Sequence, residues 1–362
     1  MSPQASIPVA VIGGGIAGCS AAIALQRAGR PVLVLEGAPE AVAPIGETLP
    51  SAAKPLLREL GVWDAFTGDG HLPSAGTVSL WGGPEPVVTD AIVDPHGGGW
   101  QVDRRRLGGL LRRSVVEAGG RLIERAVLEA AERADGGWRL RASRGTGDEG
   151  VVAGLVIDAS GRRSAFARMA GASRQYADNL ACRHARFGGA GASDDRDSRT
   201  WVEAVEGGWW YSARVPGDAR VVAFLTDGDL MPESMAEAAG FVGLLSETQG
   251  IRRLVEDHRL DLLDGPHTTA ARSSRLLTAG GEGWIAAGDA ALAFDPLAGR
   301  GMWAALRTGL WAAGEAARAP GMGYQERLDR AWGDCERMRV STYATETRWT
   351  GAPFWRRRLP AG

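Results

Sequence analysis

The sequence predicts an α/β fold in which a Rossmann-type nucleotide-binding domain is interleaved with an antiparallel β-sheet domain and followed by a C-terminal helical tail. Three observations predict it. A short apolar run, residues 8–12, leads into Gly13-Gly14-Gly15-Ile16-Ala17-Gly18, and that turn opens an alanine- and leucine-rich segment of helical spacing. A second apolar run, residues 31–35, ends at Glu36. Further along, residues 200–205, 209–215 and 220–226 alternate in strand fashion, as expected of an antiparallel sheet that covers one face.

The elements follow in order. Residues 8–12 read as a strand buried on both faces, and residues 17–28 as a helix that Gly29 stops. Residues 31–35 form the second strand. Residues 49–66 read as a helix ending near Gly61 with a turn after it. Residues 77–81 and 87–93 are strands separated by a Gly-Gly-Pro turn, and 103–118 is an amphipathic helix. Residues 121–134, 138–143 and 151–157 are strands joined by glycine-rich turns. Residues 188–198, polar and glycine-rich, read as a loop. Two helices (235–247 and 250–258), a buried strand (284–287) and two further helices (301–319 and 324–347) lead to an Arg- and Trp-rich tail.

Composition narrows the function classes. In 362 residues the formal net charge is −2, and that balance argues against a nucleic-acid partner, which asks for a basic excess. The apolar run at 9–12 is far too short for a bilayer span, so no membrane partner is expected. Cys19, Cys182 and Cys335 are far apart and odd in number, which gives neither a metal spacing nor a disulfide framework. The first residues lack a basic stretch, so no signal peptide is expected and a cytoplasmic location is.

The glycine turn has a physical reading residue by residue. Gly13 permits the tight turn, Gly15 lets backbone approach a pyrophosphate, and Gly18 lets helix pack on strand. The helix start at Ile16 and Ala17 offers N–H groups and a positive dipole end to phosphate. Glu36 suits ribose hydroxyls and disfavours a 2′-phosphate, so the nucleotide is FAD or NAD and not NADP.

Two later segments separate these. One is Asp158-Ala159-Ser160-Gly161-Arg162-Arg163-Ser164; the other is Gly288-Asp289-Ala290-Ala291 leading to Asp295-Pro296-Leu297-Ala298-Gly299-Arg300-Gly301-Met302. Together with the first motif they resemble the FAD motifs of the flavin monooxygenase superfamily that includes p-hydroxybenzoate hydroxylase. The resemblance implies FAD as cofactor. It implies that Asp289, after Gly288, binds the ribityl chain, and that Pro296, Gly299, Gly301 and Met302 run beside the isoalloxazine. It also implies that Asp158 and Gly161 lie near the pyrophosphate and that Arg104 contacts the cofactor, although Arg104 also reads as an exposed helix-start arginine. The expected division is a discontinuous FAD-binding domain (1–80, 101–170 and 272–320), a substrate domain (81–100 and 171–271) and a C-terminal helix and tail (321–362).

The segments Gly46-Glu47-Thr48-Leu49-Pro50, Gly208-Trp209-Trp210-Tyr211-Ser212 and Pro353-Phe354-Trp355 resemble the halogenase-like branch, which also holds the monooxygenases that mature tryptophylquinone cofactors. Halogenases of that branch need a lysine some thirty residues after the Gly-Glu pair; this chain has Gly70-His71-Leu72 there, and its single lysine, Lys54, comes too early. The expectation is therefore a monooxygenase that hydroxylates an electron-rich arene, an indole or tryptophan free or within a peptide or protein, through a C4a-hydroperoxyflavin. A halogenase, an FAD-dependent reductase and a non-catalytic FAD-binding partner are the alternatives. Glu47, Asp295 and Pro296 are the catalytic candidates, with Glu47 and Asp295 reading equally as caps of local backbone. Trp201, Trp209, Trp210 and Tyr211 read as a substrate wall or as sheet core, and His71 as an acid–base group or a structural residue. With one Rossmann motif only, electrons come from NAD(P)H directly or through a separate flavin reductase.

Overall fold

The structure is a computed structural model of the chain, and it describes residues 6–37, 45–145, 147–317 and 323–359. Strand β1 (Ser6–Ile12) is apolar over Val9–Ile12 because both of its faces are covered there; Val9, Ala10 and Val11 have no exposed surface. Helix α1 (Ile16–Arg27) follows and ends where Gly29 takes φ +73°, and β2 (Val32–Glu36) returns beside β1. The chain then makes β3 (Gly76–Leu80), β4 (Val87–Asp90) and helix α2 (Arg104–Glu117). The Asp103 carboxylate caps α2, accepting from the N–H groups of Arg105 (2.8 Å) and Arg106 (3.1 Å). Strands β5 (Arg121–Glu124), β6 (Val127–Ala134), β7 (Gly137–Arg144) and β8 (Gly147–Asp158) complete this part.

The next stretch holds β9 (Leu180–Gly188), β10 (Thr200–Val205), β11 (Gly208–Val215) and β12 (Ala219–Asp227), then helices α3 (Ala238–Leu245) and α4 (Gly250–Asp257) and strand β13 (Asp261–Ala270). Strand β14 (Trp284–Ala286) and helices α5 (Gly301–Ala317) and α6 (Gly323–Ala344) close the chain, with a final turn of helix at Pro353–Arg356. The end of the expected helix at 319 lies outside the described residues.

Two sheets organise these elements. The first is parallel, in the order β14–β8–β1–β2–β5, with β7 and β6 added antiparallel along β8. Helix α5 crosses α1 so closely that a Cβ on Gly309 would lie 2.3 Å from the Ala17 carbonyl oxygen. The second sheet runs β13–β9–β12–β11–β10–β3–β4 and is antiparallel except between β10 and β3. Two short three-stranded ladders stand where the chain crosses between the sheets. One pairs Trp100–Gln101 with Thr48–Leu49 and Leu72–Pro73; the other joins Arg174–Tyr176, Ser274–Leu276 and Leu292–Ala293.

Parts of the observed fold depart from these expectations. The boundary drawn at residue 80 runs behind β3, which pairs with β10 at Thr77↔Thr200 and so belongs to the antiparallel sheet. The helix expected over 49–66 is broken into Lys54–Glu59 and Trp63–Gly68, because Pro55 is tolerated only in a first turn, so the helix starts at Lys54, and Gly61 takes φ +60°. Strand β13 gave no signal: it is an edge strand with no buried position, and it contains Gly265-Pro266. Among the described residues no helix is long and apolar enough to cross a membrane.

Candidate functional site

The turn between β1 and α1 is built around its glycines. Gly13 takes φ +104°, and a Cβ there would lie 2.4 Å from the Ala159 carbonyl oxygen. A Cβ on Gly18 would lie 1.9 Å from the Gly13 carbonyl oxygen, so α1 can touch the turn only through hydrogen. Gly15 differs, since nothing lies within 4 Å of its Cβ position. The first helical hydrogen bond runs from Cys19 N to Gly15 O (2.9 Å), which leaves the N–H groups of Ile16, Ala17 and Gly18 at the helix mouth. Glu36, at the end of β2, accepts from Gly14 N at 2.6 Å and so stands beside this turn.

A second wall comes from the 3-10 turn Gly288–Ala290. Gly288 takes φ +61°, a Cβ on it would meet Ala17 at 2.6 Å, and its N–H donates to the Thr308 hydroxyl of α5 (2.8 Å). Arg174 donates to the carbonyl of Asp289 (2.8 Å) and pins the turn from below. The Asp289 carboxylate, partly exposed, lies 3.3 Å from Arg162 Nε. Gly161, just before Arg162, takes φ +70°. Asp158 is fully buried, and its oxygens accept from Ser160 N, Ser160 Oγ and Ala167 N at 2.6–3.0 Å. It therefore braces the loop around Gly161 and holds no oxygen out to a ligand, contrary to the contact expected of it.

Arg104 opens α2 half-buried and donates to the carbonyls of Ile45 and Gly46, both at 3.0 Å. Its charge interacts with Glu47 and Asp289, while burial lowers its pKa. Glu47 is itself buried. Desolvation raises its carboxyl above the ordinary carboxylate value, and Arg104 pulls the other way. The Tyr211 hydroxyl donates to Glu47 at 3.3 Å and lies 3.2 Å from Thr48 Oγ1. Thr48 donates to Gln101 Oε1 (2.9 Å), and Gln101 donates to Thr200 Oγ1 (2.8 Å). A buried polar chain, Glu47–Tyr211–Thr48–Gln101–Thr200, thus joins the two sheets at the first ladder.

The third wall is the turn into α5. Asp295 is buried; one carboxylate oxygen accepts from Leu297 N (2.9 Å) as a cap, and the other accepts from the Tyr343 hydroxyl (3.0 Å). Burial pushes its pKa up to about 6. Trp209 Nε1 donates to the Tyr343 oxygen at 3.0 Å. Pro296 begins the short 3-10 turn, and Gly299 ends it at φ +60°. The first bond of α5 runs from Ala304 N to Arg300 O (2.8 Å), so the N–H groups of Gly301, Met302 and Trp303 stand at its mouth. Nothing lies within 4 Å of a Cβ on Gly299 or Gly301.

Four aromatic candidates do not form one wall. Strand alternation puts Trp201 and Trp210 on the face under α3 and α4, where Trp210 packs on Phe224 and Phe241. Trp209 and Tyr211 face the other way, toward Tyr343 and Glu47. Trp201 also donates to Asp197 at 2.8 Å. His71, read as an acid–base group at the substrate or as a structural residue, is packed on Phe66 (4.6 Å) with its side chain 1% exposed, and its Nδ1 accepts from Asp103 N at 3.3 Å. Burial lowers its pKa, and its place is under the start of α2. Sequence reasoning missed Thr48, Gln101 and Tyr343; only Gln101, a polar residue between apolar neighbours at the start of a helix, carried a local signal.

Two helix mouths, a carboxylate at the end of β2 and glycines with open space at their Cβ positions fit a dinucleotide such as FAD or NAD. Residues 6–211 match the FAD binding domain family, and the chain belongs to it. A putative FAD-dependent oxidoreductase, LodB, of Marinomonas mediterranea is 28% identical over 96% of this chain and 95% of its own length. A flavin-dependent halogenase, armH3, of Armillaria mellea is 28% identical over 85% of this chain and 66% of its own. Among solved structures, the flavin-dependent halogenase CmlS superposes with a TM-score of 0.87 (22% identity, all of this chain and 68% of that one). The peptidyl tryptophan dihydroxylase QhpG does so with 0.78 (21% identity, 98% and 79%). The protein is a flavin-dependent enzyme of the FAD binding domain family.

Proposed function

We propose that the protein is an FAD-dependent monooxygenase that hydroxylates an electron-rich arene, an indole or tryptophan side chain, free or within a polypeptide. When bound and reduced, FAD supplies the activation of O2. The N–H groups of Ile16, Ala17 and Gly18 hold the pyrophosphate, and Glu36 accepts from the adenosine ribose. Asp289, partly exposed beside Arg162, binds the ribityl chain. The mouth of α5 at Gly301 and Met302, after Pro296 and Gly299, presents N–H groups and a positive dipole end to the ring, where they stabilise negative charge on it. Arg104 holds the Ile45–Gly46 backbone, and the buried chain from Glu47 to Thr200 keeps water from the junction of the sheets.

The observation that carries hydroxylation over halogenation is the position of the lysine. The groups gathered around Glu47, Arg104 and Asp289 include no lysine, and the ammonium of Lys54 lies over the Trp63 ring, 5.2 Å from its centroid. Arginine cannot stand in for a reactive amine, since it stays charged and differs in shape. Halogenation is the second reading, favoured by halogenase relatives as similar as LodB. Electrons come from NAD(P)H directly or from a separate flavin reductase, and bleaching of the purified holoprotein by NAD(P)H alone separates the two.

The test reduces the FAD-loaded protein without oxygen, then mixes it with O2 and an indole-bearing peptide in chloride and bromide buffer. The expected product gains the mass of oxygen and no halogen, and Lys54→Ala leaves its yield intact. A halogenated product, or loss of product in Lys54→Ala with FAD still bound, overturns the reading.

A further inference from the structure

A cavity of about 160 Å³ lies between the 294–300 turn and helix α6, lined by Phe294, Leu297, Ala298 and Met338 and by the polar groups of Asp295, Arg300, Glu336, Arg339 and Thr342. Its size is close to that of the engineered cavity of about 150 Å³ that takes up a single benzene ring. Its walls suit a ring: Phe294 is stacked on Trp332, with centroids 6.2 Å apart and planes 25° from parallel. Met338 and Arg300 are exposed and form the rim, whereas Asp295 is 5% exposed and forms the floor.

The charges sort themselves. Arg339 is bound to Glu336 through two contacts, of 3.1 and 2.8 Å, so that pair is largely self-compensated. Arg300 stands at the rim in water. The one acid at the floor is Asp295, whose oxygens are fixed in direction by the Leu297 N–H and the Tyr343 hydroxyl. Each carboxylate oxygen can accept more than one hydrogen bond, so a donor from the cavity finds a receptor already aimed. The same turn that floors the cavity runs on into the mouth of α5.

We propose that this cavity seats the ring of the arene, with the Asp295 carboxyl accepting a hydrogen bond from a ring N–H or O–H. The inference rests on the reading of the enzyme as an arene monooxygenase and moves the ring's seat from the sheet aromatics to the turn and α6. It also limits the seat to one ring; the rest of a larger substrate passes over the Arg300–Met338 rim.

The test measures binding and needs no turnover. Calorimetry on the oxidised holoprotein compares indole, phenol and toluene, which has no donor. Indole or phenol is expected to bind at least about tenfold more tightly than toluene, the scale of one buried hydrogen bond. Whichever of the two binds more tightly identifies the donor as N–H or O–H. Asp295→Asn is expected to narrow that gap, and Met338→Trp, which fills the cavity from a rim position, to remove arene binding with FAD content unchanged. Equal binding of toluene, no binding of any of the three, or indole binding undiminished in Met338→Trp overturns the seat. A protein that passes these tests yet halogenates keeps the seat and loses the hydroxylase reading; one that hydroxylates with Met338→Trp unaffected does the reverse.

Discussion

Asp295 shows how much one side chain carries. It caps the turn that leads into α5, receives the Tyr343 hydroxyl, and is almost wholly removed from water. The sequence offered a cap and a catalytic carboxylate as alternatives, and the observed contacts include the cap. Tyr343 was not legible, because its bond to Asp295 spans 48 residues and depends on how α6 docks. Burial is the main cause that lifts the Asp295 carboxyl from 3.8 to about 6; Asp178 adds to the lift, while the Leu297 N–H, Tyr343 and Arg358 oppose it. A raised carboxyl binds its proton more tightly folded than unfolded, so it destabilises the fold progressively as pH rises from about 4 to about 6, and evenly above that. The stability of Asp295→Asn relative to the parent should therefore grow across that window, by up to about 3 kcal/mol, and stay level beyond it. Denaturant titrations between pH 4 and 8 check this, and a difference independent of pH would show that the carboxyl is not desolvated.

At the scale of elements, the β1–turn–α1 unit was the most legible, because its glycine spacing answers the geometry of a tight turn that opens a helix. Gly18 is fixed by a backbone contact inside the unit, Gly13 by its φ of +104° and the Ala159 carbonyl that crowds it, and Gly15 by what must come near it. The two kinds part under substitution. Gly18→Ala forces a Cβ against the Gly13 carbonyl and should cost at least about 1–3 kcal/mol of stability. Gly15→Ala, at a φ of −76°, should leave the FAD-free protein as stable as the parent and weaken FAD binding by tenfold or more. Thermal melts of the apoproteins and flavin titrations read both effects; a Gly15→Ala protein that binds FAD normally would place the phosphates elsewhere. The antiparallel sheet was legible as strands and not as faces. The hairpin β10–β11 pairs Trp201 with Ser212 and Glu203 with Trp210, and that register separates Trp201 and Trp210 from Trp209 and Tyr211. Period-two alternation alone splits 209 and 211 from 210, but it does not show that the face of Trp209 and Tyr211 is the one packed under the C-terminal tail, against Tyr343, Phe354 and Trp355.

For the whole molecule, the order of motifs along the chain was enough to place one nucleotide fold interleaved with one sheet. The crossings were harder to read. Strand β3 carries no mark that assigns it to the antiparallel sheet, since its partner β10 lies more than a hundred residues on. The polar chain from Glu47 to Thr200 exists only once the first ladder and the β10–β11 hairpin are formed, so four separate segments supply it. The same holds for the proposed nucleotide site: in that reading the mouth of α1 and Glu36 take one end of the FAD, and Asp289 and the mouth of α5 the other. Such a site should need both halves of the dinucleotide. Titration of the apoprotein with FAD, FMN and NADH tests this most directly. The account predicts one FAD bound per chain, FMN at least about a hundredfold weaker for want of the adenosine half, and no stable NADH complex. FMN bound as tightly as FAD, or no flavin bound at all, would contradict it.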